Sequence, residues 1–366
     1  MYSIEIIAWV GFSQGLFGAI MLLSKSDKHV SDRLLAGWLT LLAFEFLTCA
    51  IDFRVLGYSL LSSSFLLFNP ALFIYIRSLV HKDFKLKWLM ILHLLPFVVF
   101  ETLAYITKTP FTFENFFKVD PTFPFRVSFA AATIASALIY LPLSVRLLHR
   151  YRRKLQNEKS LIEKGQSLEW LLSFSIIYIV YSIIAGILGF VFVFMEVGSE
   201  VLTYYNYSFL LLLIYIISFY GVYQQNIEVQ TEADDEEESK HISYKNSLLT
   251  SDDKLAIKQK VISYMEEDKA YLNPELNMDL LSEATGFPKY QITEVLNMDI
   301  GMNFFSFVNS YRIEDVKKML LAPNLKYSIE AIGYECGFNS KSSFYTVFKK
   351  ITGMTPIAFR KNNLSQ

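Results

Sequence analysis

The chain has 366 residues, of which 53% are hydrophobic and 19% are charged, and its formal net charge is -1. Apolar runs dominate up to about Tyr223, and charged residues recur every few positions after Glu228, so the whole-chain averages describe neither half. The two cysteines and five scattered histidines support neither a disulfide framework nor a zinc site, and the sequence predicts no metal and no cofactor.

The N-terminal half is predicted to be a polytopic helical bundle that crosses a lipid bilayer about seven times. A spanning helix needs about 20 mainly apolar residues, because hydrocarbon offers no partners to an exposed backbone. Met1–Trp9 lacks the basic start of a cleavable signal peptide, so the first run is expected to stay in the protein. The predicted segments contain no Lys, Arg or Asp, and they are Ile6–Ser24, Leu34–Ile51, Val55–Ile76, Trp88–Ile106, Val127–Val145, Trp170–Met195 and Val201–Val222.

The orientation of the bundle is predicted from the basic residues in its loops. The first, third and fifth loops carry fourteen Lys and Arg, whereas the opposite side carries only Arg54, Lys108, Lys118 and Arg126. Because Lys and Arg favour the cytoplasmic side, the N-terminus is predicted to lie outside the cell. Seven crossings then place the C-terminus in the cytoplasm.

Three polar side chains inside these segments are candidates for sensing a signal: Glu45, Gln14 and His93. A carboxylate in hydrocarbon is costly, and Glu45 lies in the middle of its segment, so it is the strongest candidate for ligand binding or coupling. The alternative is a structural role as an interhelical hydrogen bond or a protonated carboxyl held within the bundle. The signal itself, a small molecule or a protein, is not predicted.

Residues 224–250 are predicted to form a polar linker. It contains an acidic cluster of six residues, Glu232, Asp234, Asp235, Glu236, Glu237 and Glu238. A solvated coil is favoured for such a charge run. Three alternatives stay open: a helix that transmits motion from the last crossing, a segment that repels DNA or anionic lipid, and a site where proteolysis frees the tail.

Residues 251–366 are predicted to be a soluble α-helical domain with two helix-turn-helix units joined by a long helix. The first unit is placed at about 278–297, where Gly286 supplies the turn and Pro288 begins the second helix. The connecting helix is placed at about 303–321 and the second unit at about 328–351. A connecting helix of this length, about 28 Å, would space two recognition helices for adjacent major grooves, which repeat every ~34 Å.

The stretch from Ser328 to Arg360 reads SIEAIGYECGFNSKSSFYTVFKKITGMTPIAFR and closely resembles the signature of AraC-type (AraC/XylS) transcription regulators. The matching positions are Ile329, Ile332, Gly337-Phe338, Ser340, Phe344, Phe348-Lys349-Lys350, Gly353, Thr355-Pro356 and Arg360. The resemblance covers about Leu255 to Lys361, with a looser match in the first unit. The whole layout is similar to membrane-bound AraC-type regulators of Bacteroidetes-like bacteria. It implies double-stranded DNA as a partner, with RNA polymerase as a further one.

The outward positions of the two recognition helices are predicted to contact DNA. Lys341 suits guanine, the Thr346 methyl suits thymine and Gln291 suits adenine, although each is equally well read as a solvated or phosphate-contacting side chain. Arg312 is expected to be structural, in an ion pair with Glu283 or Asp315. The full predicted set is Lys289, Tyr290, Gln291 and Thr293 in the first unit, and Asn339, Ser340, Lys341, Ser342, Tyr345, Thr346, Lys349, Lys350 and Arg360 in the second.

The sequence therefore predicts a sensor-regulator in a bacterial cytoplasmic membrane, with a transmembrane domain at 1–223, the linker and a DNA-binding domain at 251–366. No Walker loop, kinase signature, zinc-protease helix or Ser-His pairing is found, so an enzyme is not expected. The alternative is a transporter or receptor whose helical tail acts through protein contacts. The operator, the sign of regulation and the oligomeric state are not predicted.

Overall fold

The computed structural model describes residues 2–51, 61, 63–81, 84–108, 120–163, 165–194, 200–224, 249–322 and 327–364. Every regular element in these ranges is a helix, so the prediction of an all-α protein is confirmed. The chain divides into an N-terminal unit, Met1–His149 with Leu168–Gln230, and a C-terminal unit, Arg150–Ser167 with Thr231–Gln366. Residues 225–248, which include the acidic cluster, lie outside the described residues, and the predicted domain boundaries stay predictions.

The N-terminal unit is built from seven α-helices in the described ranges, and six helical stretches there are long and apolar enough to cross a membrane. The seventh predicted span corresponds to a shorter apolar helix, and the first residues of that span, 55–60, lie outside the described residues. The helices are α1 (Tyr2–Leu23), α2 (Val30–Ile51), α3 (Phe65–Val80), α4 (Leu95–Thr107) preceded by a 3-10 helix (Trp88–Leu94), α5 (Phe123–Glu158), α6 (Glu169–Phe194) and α7 (Glu200–Tyr223).

Small residues let α1 approach its neighbours closely. Gly15 faces α2 so tightly that an added Cβ would lie 3.0 Å from the Ala43 Cβ and 3.1 Å from the Leu39 carbonyl oxygen. Backbones that approach this closely gain van der Waals contact, which is a main source of helix association where lipid removes the hydrophobic driving force. Helix α1 also packs against α7, so these three helices share one packed centre.

The C-terminal unit contains seven further α-helices in the described ranges, arranged around two apolar cores. The first core packs α8, α9 and α10 together through Ile257, Leu281 and Ile292. The second core includes Ile332 and Phe344, and α11 contributes side chains to both cores. The helices are α8 (Ser251–Glu266), α9 (Met278–Thr285), α10 (Lys289–Glu294), α11 (Phe304–Leu320), α12 (Ile329–Glu335), α13 (Lys341–Thr352) and α14 (Pro356–Leu364).

Candidate nucleic-acid interface

The first pair of short helices, α9 and α10, is fixed by local signals at each end. The side-chain oxygen of Asn277 accepts a hydrogen bond from the Leu280 N–H at 2.9 Å, which caps the start of α9. Gly286 ends α9 with a φ of 78°, a left-handed conformation that favours glycine, and Pro288 precedes α10. Helix α10 continues into a π-helical turn, Val295–Ile300, that stops at Gly301. The pair has the arrangement of a helix-turn-helix unit.

The second pair, α12 and α13, repeats this design with different residues. Ser328 caps α12 by accepting from the Ala331 N–H at 3.1 Å, and Ser340 caps α13 by accepting from the Ser343 N–H at 3.1 Å. Gly337 makes the turn between the helices with a φ of 88°, and Gly353 ends α13. Helix α14 follows at Pro356, a favourable helix start. Both helices of the second unit therefore begin at a serine side-chain cap.

Both units place a lysine and an acid in matching positions. Lys341 is the first residue of α13, and its ammonium lies 2.5 Å from the carboxylate of Glu330, the second residue of α12. Lys289, the first residue of α10, pairs with Asp279, the second residue of α9. The hydrogen bond and the charge of Glu330 raise the pKa of Lys341. Each lysine is largely exposed and has three N–H donors, so a phosphate or base would compete with the carboxylate partner for the ammonium.

The predicted contact residues of the second unit lie largely on the exposed side of α13. Ser342, Thr346 and Lys349 are exposed, and so is Asn339 before the helix. Ser340 is half-buried in its capping role, so its hydroxyl is already engaged. The structure therefore brings together the exposed members of the predicted set, and their contact with DNA stays a prediction.

Three other members of that set are partly engaged by protein. Tyr345 is half-buried against Phe344, with ring centroids 5.3 Å apart. The Lys350 ammonium lies 5.7 Å from the centre of the Phe305 ring, at the edge of the second core. Arg360 is half-buried on α14. The positive charges of Lys350 and Arg360 add to the field of a stretch, Cys336 to Gln366, that contains five basic residues and no acidic one.

The predicted contact residues of the first unit are partly buried or hydrogen-bonded within the protein. Lys289 and Tyr290 are exposed, whereas Gln291 and Thr293 are half-buried. The Gln291 amide donates to the Tyr290 hydroxyl at 3.3 Å, and the Thr293 hydroxyl donates to the Lys289 carbonyl at 2.8 Å. Buried Glu294 pairs at 3.0 Å with Lys254 of α8, so this acid anchors the unit to the opening helix.

A buried arginine holds the connecting helix against the segment that precedes the first helix-turn-helix unit. Arg312 on α11 is fully buried, and its Nε donates to the Tyr271 carbonyl at 2.7 Å while one terminal nitrogen donates to the Asn273 carbonyl at 2.9 Å. The structural role predicted for Arg312 agrees with this position, but the predicted carboxylate partner was wrong. Asp315 instead accepts hydrogen bonds from Tyr271 and Lys318. Burial lowers the pKa of Arg312 to about 9, so it remains charged at neutral pH.

Gly337, in the turn of the second unit, packs against the same backbone segment that Arg312 binds. A Cβ at Gly337 would lie 2.4 Å from the Tyr271 carbonyl oxygen and 2.9 Å from that of Leu272, both in the short 3-10 helix (Ala270–Leu272) that precedes the first helix-turn-helix unit. Only a residue without a side chain permits this approach. The turn of the second unit therefore packs directly against the backbone of this 3-10 helix.

The candidate sensing residues of the N-terminal unit have separate surroundings. Glu45 is buried on α2 and accepts a hydrogen bond from the Tyr207 hydroxyl of α7 at 3.0 Å. The His93 Nδ1 lies 2.6 Å from the Tyr140 hydroxyl of α5. Gln14 is half-buried on α1. This hydrogen bond agrees with the alternative prediction, in which Glu45 has a structural role between helices. A sensing role for any of the three residues stays a prediction.

The cap of α13 gives a first testable prediction. Replacing Ser340 by alanine removes the acceptor of the Ser343 N–H and is expected to cost about 1 kcal/mol of local helix stability. Amide exchange in the first turn of α13, measured by mass spectrometry on the full chain, should become several-fold faster. The matched control is Ser342→Ala, which removes an exposed hydroxyl from the same turn and should leave exchange unchanged. Equal exchange in the two variants would contradict the capping role.

Comparison with known proteins agrees with this geometry. Residues 281–362 match the family model for a helix-turn-helix domain. The C-terminal region carries an AraC-type helix-turn-helix domain. This domain spans most of the first unit, the connecting helix and the whole second unit, so the two units described above form a single recognised domain.

Relatives are similar to this chain only over its C-terminal part. An uncharacterized HTH-type transcriptional regulator of Pseudoalteromonas carrageenovora is 31% identical over 103 residues, 28% of this chain and 58% of that protein. One of Staphylococcus aureus (strain COL) is 29% identical over 117 residues, 32% of this chain and 15% of that protein. A solved structure of a protein of unknown function from Listeria innocua has 26% identity and a TM-score of 0.26, and the match covers 28% of this chain and 93% of that one.

Proposed function

We propose that this chain is a membrane-tethered, sequence-specific DNA-binding transcription regulator and not an enzyme. The observation that carries the proposal is α13, a capped recognition helix in a helix-turn-helix domain that presents Lys341, Ser342, Thr346 and Lys349 on one exposed side. The curated relatives that match this region are named HTH-type transcriptional regulators, which favours transcription as the process.

The DNA partner is proposed to be a duplex read in two major-groove segments by one chain. Helix α11 has 17 residues, about 26 Å at 1.5 Å per residue. Recognition helices on either side of it would reach grooves that repeat every ~34 Å. In this arrangement Lys341 and Thr346 read bases, Gln291 reads a base in the other segment, and Lys349 binds a phosphate. The remaining proposed contacts are Lys289, Tyr290 and Thr293 in the first unit, and Asn339, Ser340, Ser342, Tyr345, Lys350 and Arg360 in the second.

Membrane tethering is supported by apolar side chains that the N-terminal unit leaves exposed. Trp88, Ile106 and Leu138 are 74%, 72% and 70% exposed, and large apolar residues of this kind recur along α1, α4, α5 and α6. Contiguous apolar surface on this scale is unfavourable in water and favourable in hydrocarbon. The excess of basic residues in the odd-numbered loops supports a cytoplasmic C-terminus, the compartment of the bacterial chromosome.

The N-terminal unit is proposed to sense a signal, either a small molecule or a protein. The Glu45–Tyr207 hydrogen bond between α2 and α7 is the best candidate for a coupled site, since a buried carboxyl between two helices responds to any change in their separation. A ligand would shift the bundle only if it bound one conformation more tightly than another. RNA polymerase is the proposed downstream partner.

The test is a map of the genomic DNA bound by the intact protein carrying a tag after Gln366. The proposal expects a small number of enriched promoter sites that disappear in the Lys341→Glu, Lys349→Glu double variant. The competing function is a transporter or receptor whose tail binds protein, and it expects no enriched sites. A uniform background in the wild type would therefore reject DNA binding and favour that alternative.

A further inference from the structure

A short segment after the main body of α5 belongs to the C-terminal unit. We call residues 156–161 the clip segment; it ends α5 and continues to Leu161 within the Arg150–Ser167 part of that unit. In the sequence this region is recognised only as a basic loop between predicted membrane spans. In the structure it contacts both helix-turn-helix units and the helix that connects them.

The polar contacts of the clip segment centre on Ser160, which is fully buried. Its hydroxyl donates to the Leu276 carbonyl at 2.5 Å and accepts from a terminal nitrogen of Arg312 at 3.2 Å. Its carbonyl accepts from the Asn309 amide at 2.7 Å and from Arg312 at 3.4 Å. One residue of the clip segment thus binds the backbone just before α9 and two buried side chains of α11.

The neighbours of Ser160 extend the contact in both directions. Lys159 forms an isolated antiparallel bridge with Asn277, the residue that caps α9. The Gln156 side-chain oxygen accepts from the amide of Asn303, which caps α11, at 3.1 Å. Leu161 is buried in the second core, the cluster that contains Ile332 and Phe344. The clip segment therefore spans from the start of the first unit to the core of the second.

The site that receives the clip segment has the features of a built binding site. Arg312 and Asn309 are fully buried and direct polar atoms at the Ser160 backbone. A buried guanidinium is stable only when acceptors surround it, and the clip segment supplies two of the acceptors here. We propose that the helix-turn-helix domain holds residues 156–161 as an in-chain ligand, so that the tail is attached to α5 by a docked contact in addition to the connection through residues 225–248.

This second attachment would couple the membrane helix to DNA recognition. Helix α5 is continuous from Phe123 to Glu158 and contains one of the candidate spans. A displacement of α5 would move the clip segment and so strain its contacts with Asn277, with Arg312 and with the second core. The same attachment means that proteolysis between residues 225 and 248 would not by itself free the tail.

The experiment uses the full chain with an affinity tag before Met1, an epitope after Gln366 and a specific protease site inserted between Asp235 and Glu236. The protein is cleaved in mild detergent and captured by the N-terminal tag. The proposal expects most of the C-terminal fragment to remain captured, and Leu161→Asp to release most of it instead, because a charge cannot be held in that apolar core. The matched control is Leu255→Asp, the same change at an exposed leucine of α8, which should retain the fragment.

A disulfide test keeps the inference falsifiable if Leu161→Asp fails to fold. Cysteines at Lys159 and Asn277, which face each other in the antiparallel bridge, should cross-link under mild oxidation and hold the cleaved fragments together in a non-reducing gel. Each single cysteine variant controls for pairing with Cys49 or Cys336. Free release of the wild-type fragment, together with no cross-link, would overturn the proposal. Neither readout involves DNA, so failure here and failure of DNA binding are distinguishable.

Discussion

Gly337→Ala is expected to lower the free energy of unfolding of the helix-turn-helix domain by about 3 kcal/mol. Two effects combine at this position. The φ of 88° is unfavourable for any residue with a Cβ, and the added carbon would meet the Tyr271 carbonyl oxygen at 2.4 Å. The obstacle is backbone, so it cannot rotate away, and the turn of the second unit would have to move away from the 3-10 helix Ala270–Leu272.

The measurement is the urea midpoint for proteolytic loss of a C-terminal epitope on the full chain. Gly353→Ala is the matched control, because Gly353 also has a positive φ, 78°, but nothing lies within 4 Å of its added Cβ. Gly353→Ala should lower the free energy of unfolding only by the cost of placing alanine at a positive φ, roughly 1 kcal/mol. Similar midpoints for the two variants would show that the close approach at Gly337 does not exist.

Arg312→Ala is expected to cost roughly 3 kcal/mol or more, because it leaves the buried Tyr271 carbonyl without the Arg312 donor and opens a cavity. The carbonyls of Asn273 and Ser160 also lose Arg312, although each keeps another donor, the Leu276 N–H and the Asn309 amide. The loss should therefore loosen the contacts of α11 with the segment that precedes α9 and with the clip segment. Arg312→Lys keeps the charge but not the planar set of donors, so it should restore only part of the stability.

The same urea titration tests Arg312, with Lys318→Ala as its control. Lys318 lies on the same helix, its side chain is 75% exposed, and its ion pair with Asp315 is of the surface kind that contributes little. Its midpoint should stay close to that of the wild type. If Arg312→Ala were as stable as Lys318→Ala, the guanidinium would not be an organising element of these contacts of α11.

Much of the fold was predictable because it follows from local chemistry. Long apolar runs specify membrane-length helices, and the pattern of Gly286 and Gly337 between short amphipathic stretches specifies two helix-turn-helix units. The second unit was predicted to begin at about residue 328, and Ser328 caps α12 there by accepting a hydrogen bond from the Ala331 N–H. Such signals need only a few neighbouring residues, so they can be read from one sequence.

The missing parts depend on contacts between residues far apart in the chain. No local pattern links Ser160 to Arg312, 152 positions away, or Glu45 to Tyr207, 162 positions away. The carboxylates expected for Arg312 were wrong because a buried guanidinium is equally well satisfied by carbonyls that turns expose. The pairing of Lys341 with Glu330 could have been predicted from the sequence, because Lys289 and Asp279 occupy matching positions in the first unit.

The central claim is that α13 binds DNA, and the salt dependence of promoter binding by the full chain tests it most directly. The protein, in lipid nanodiscs, is titrated with a promoter fragment taken from the genomic map at several KCl concentrations. The account predicts affinity that falls steeply with salt.

The Lys341→Glu, Lys349→Glu variant should bind at least about tenfold more weakly. The slope of log affinity against log salt concentration should fall in magnitude by about 2 if both lysines meet phosphates, and by less if Lys341 reads a base. The control Lys258→Glu, Lys260→Glu makes the same charge change on α8 and should keep both affinity and slope. Binding by the α13 variant that matched this control would contradict the account.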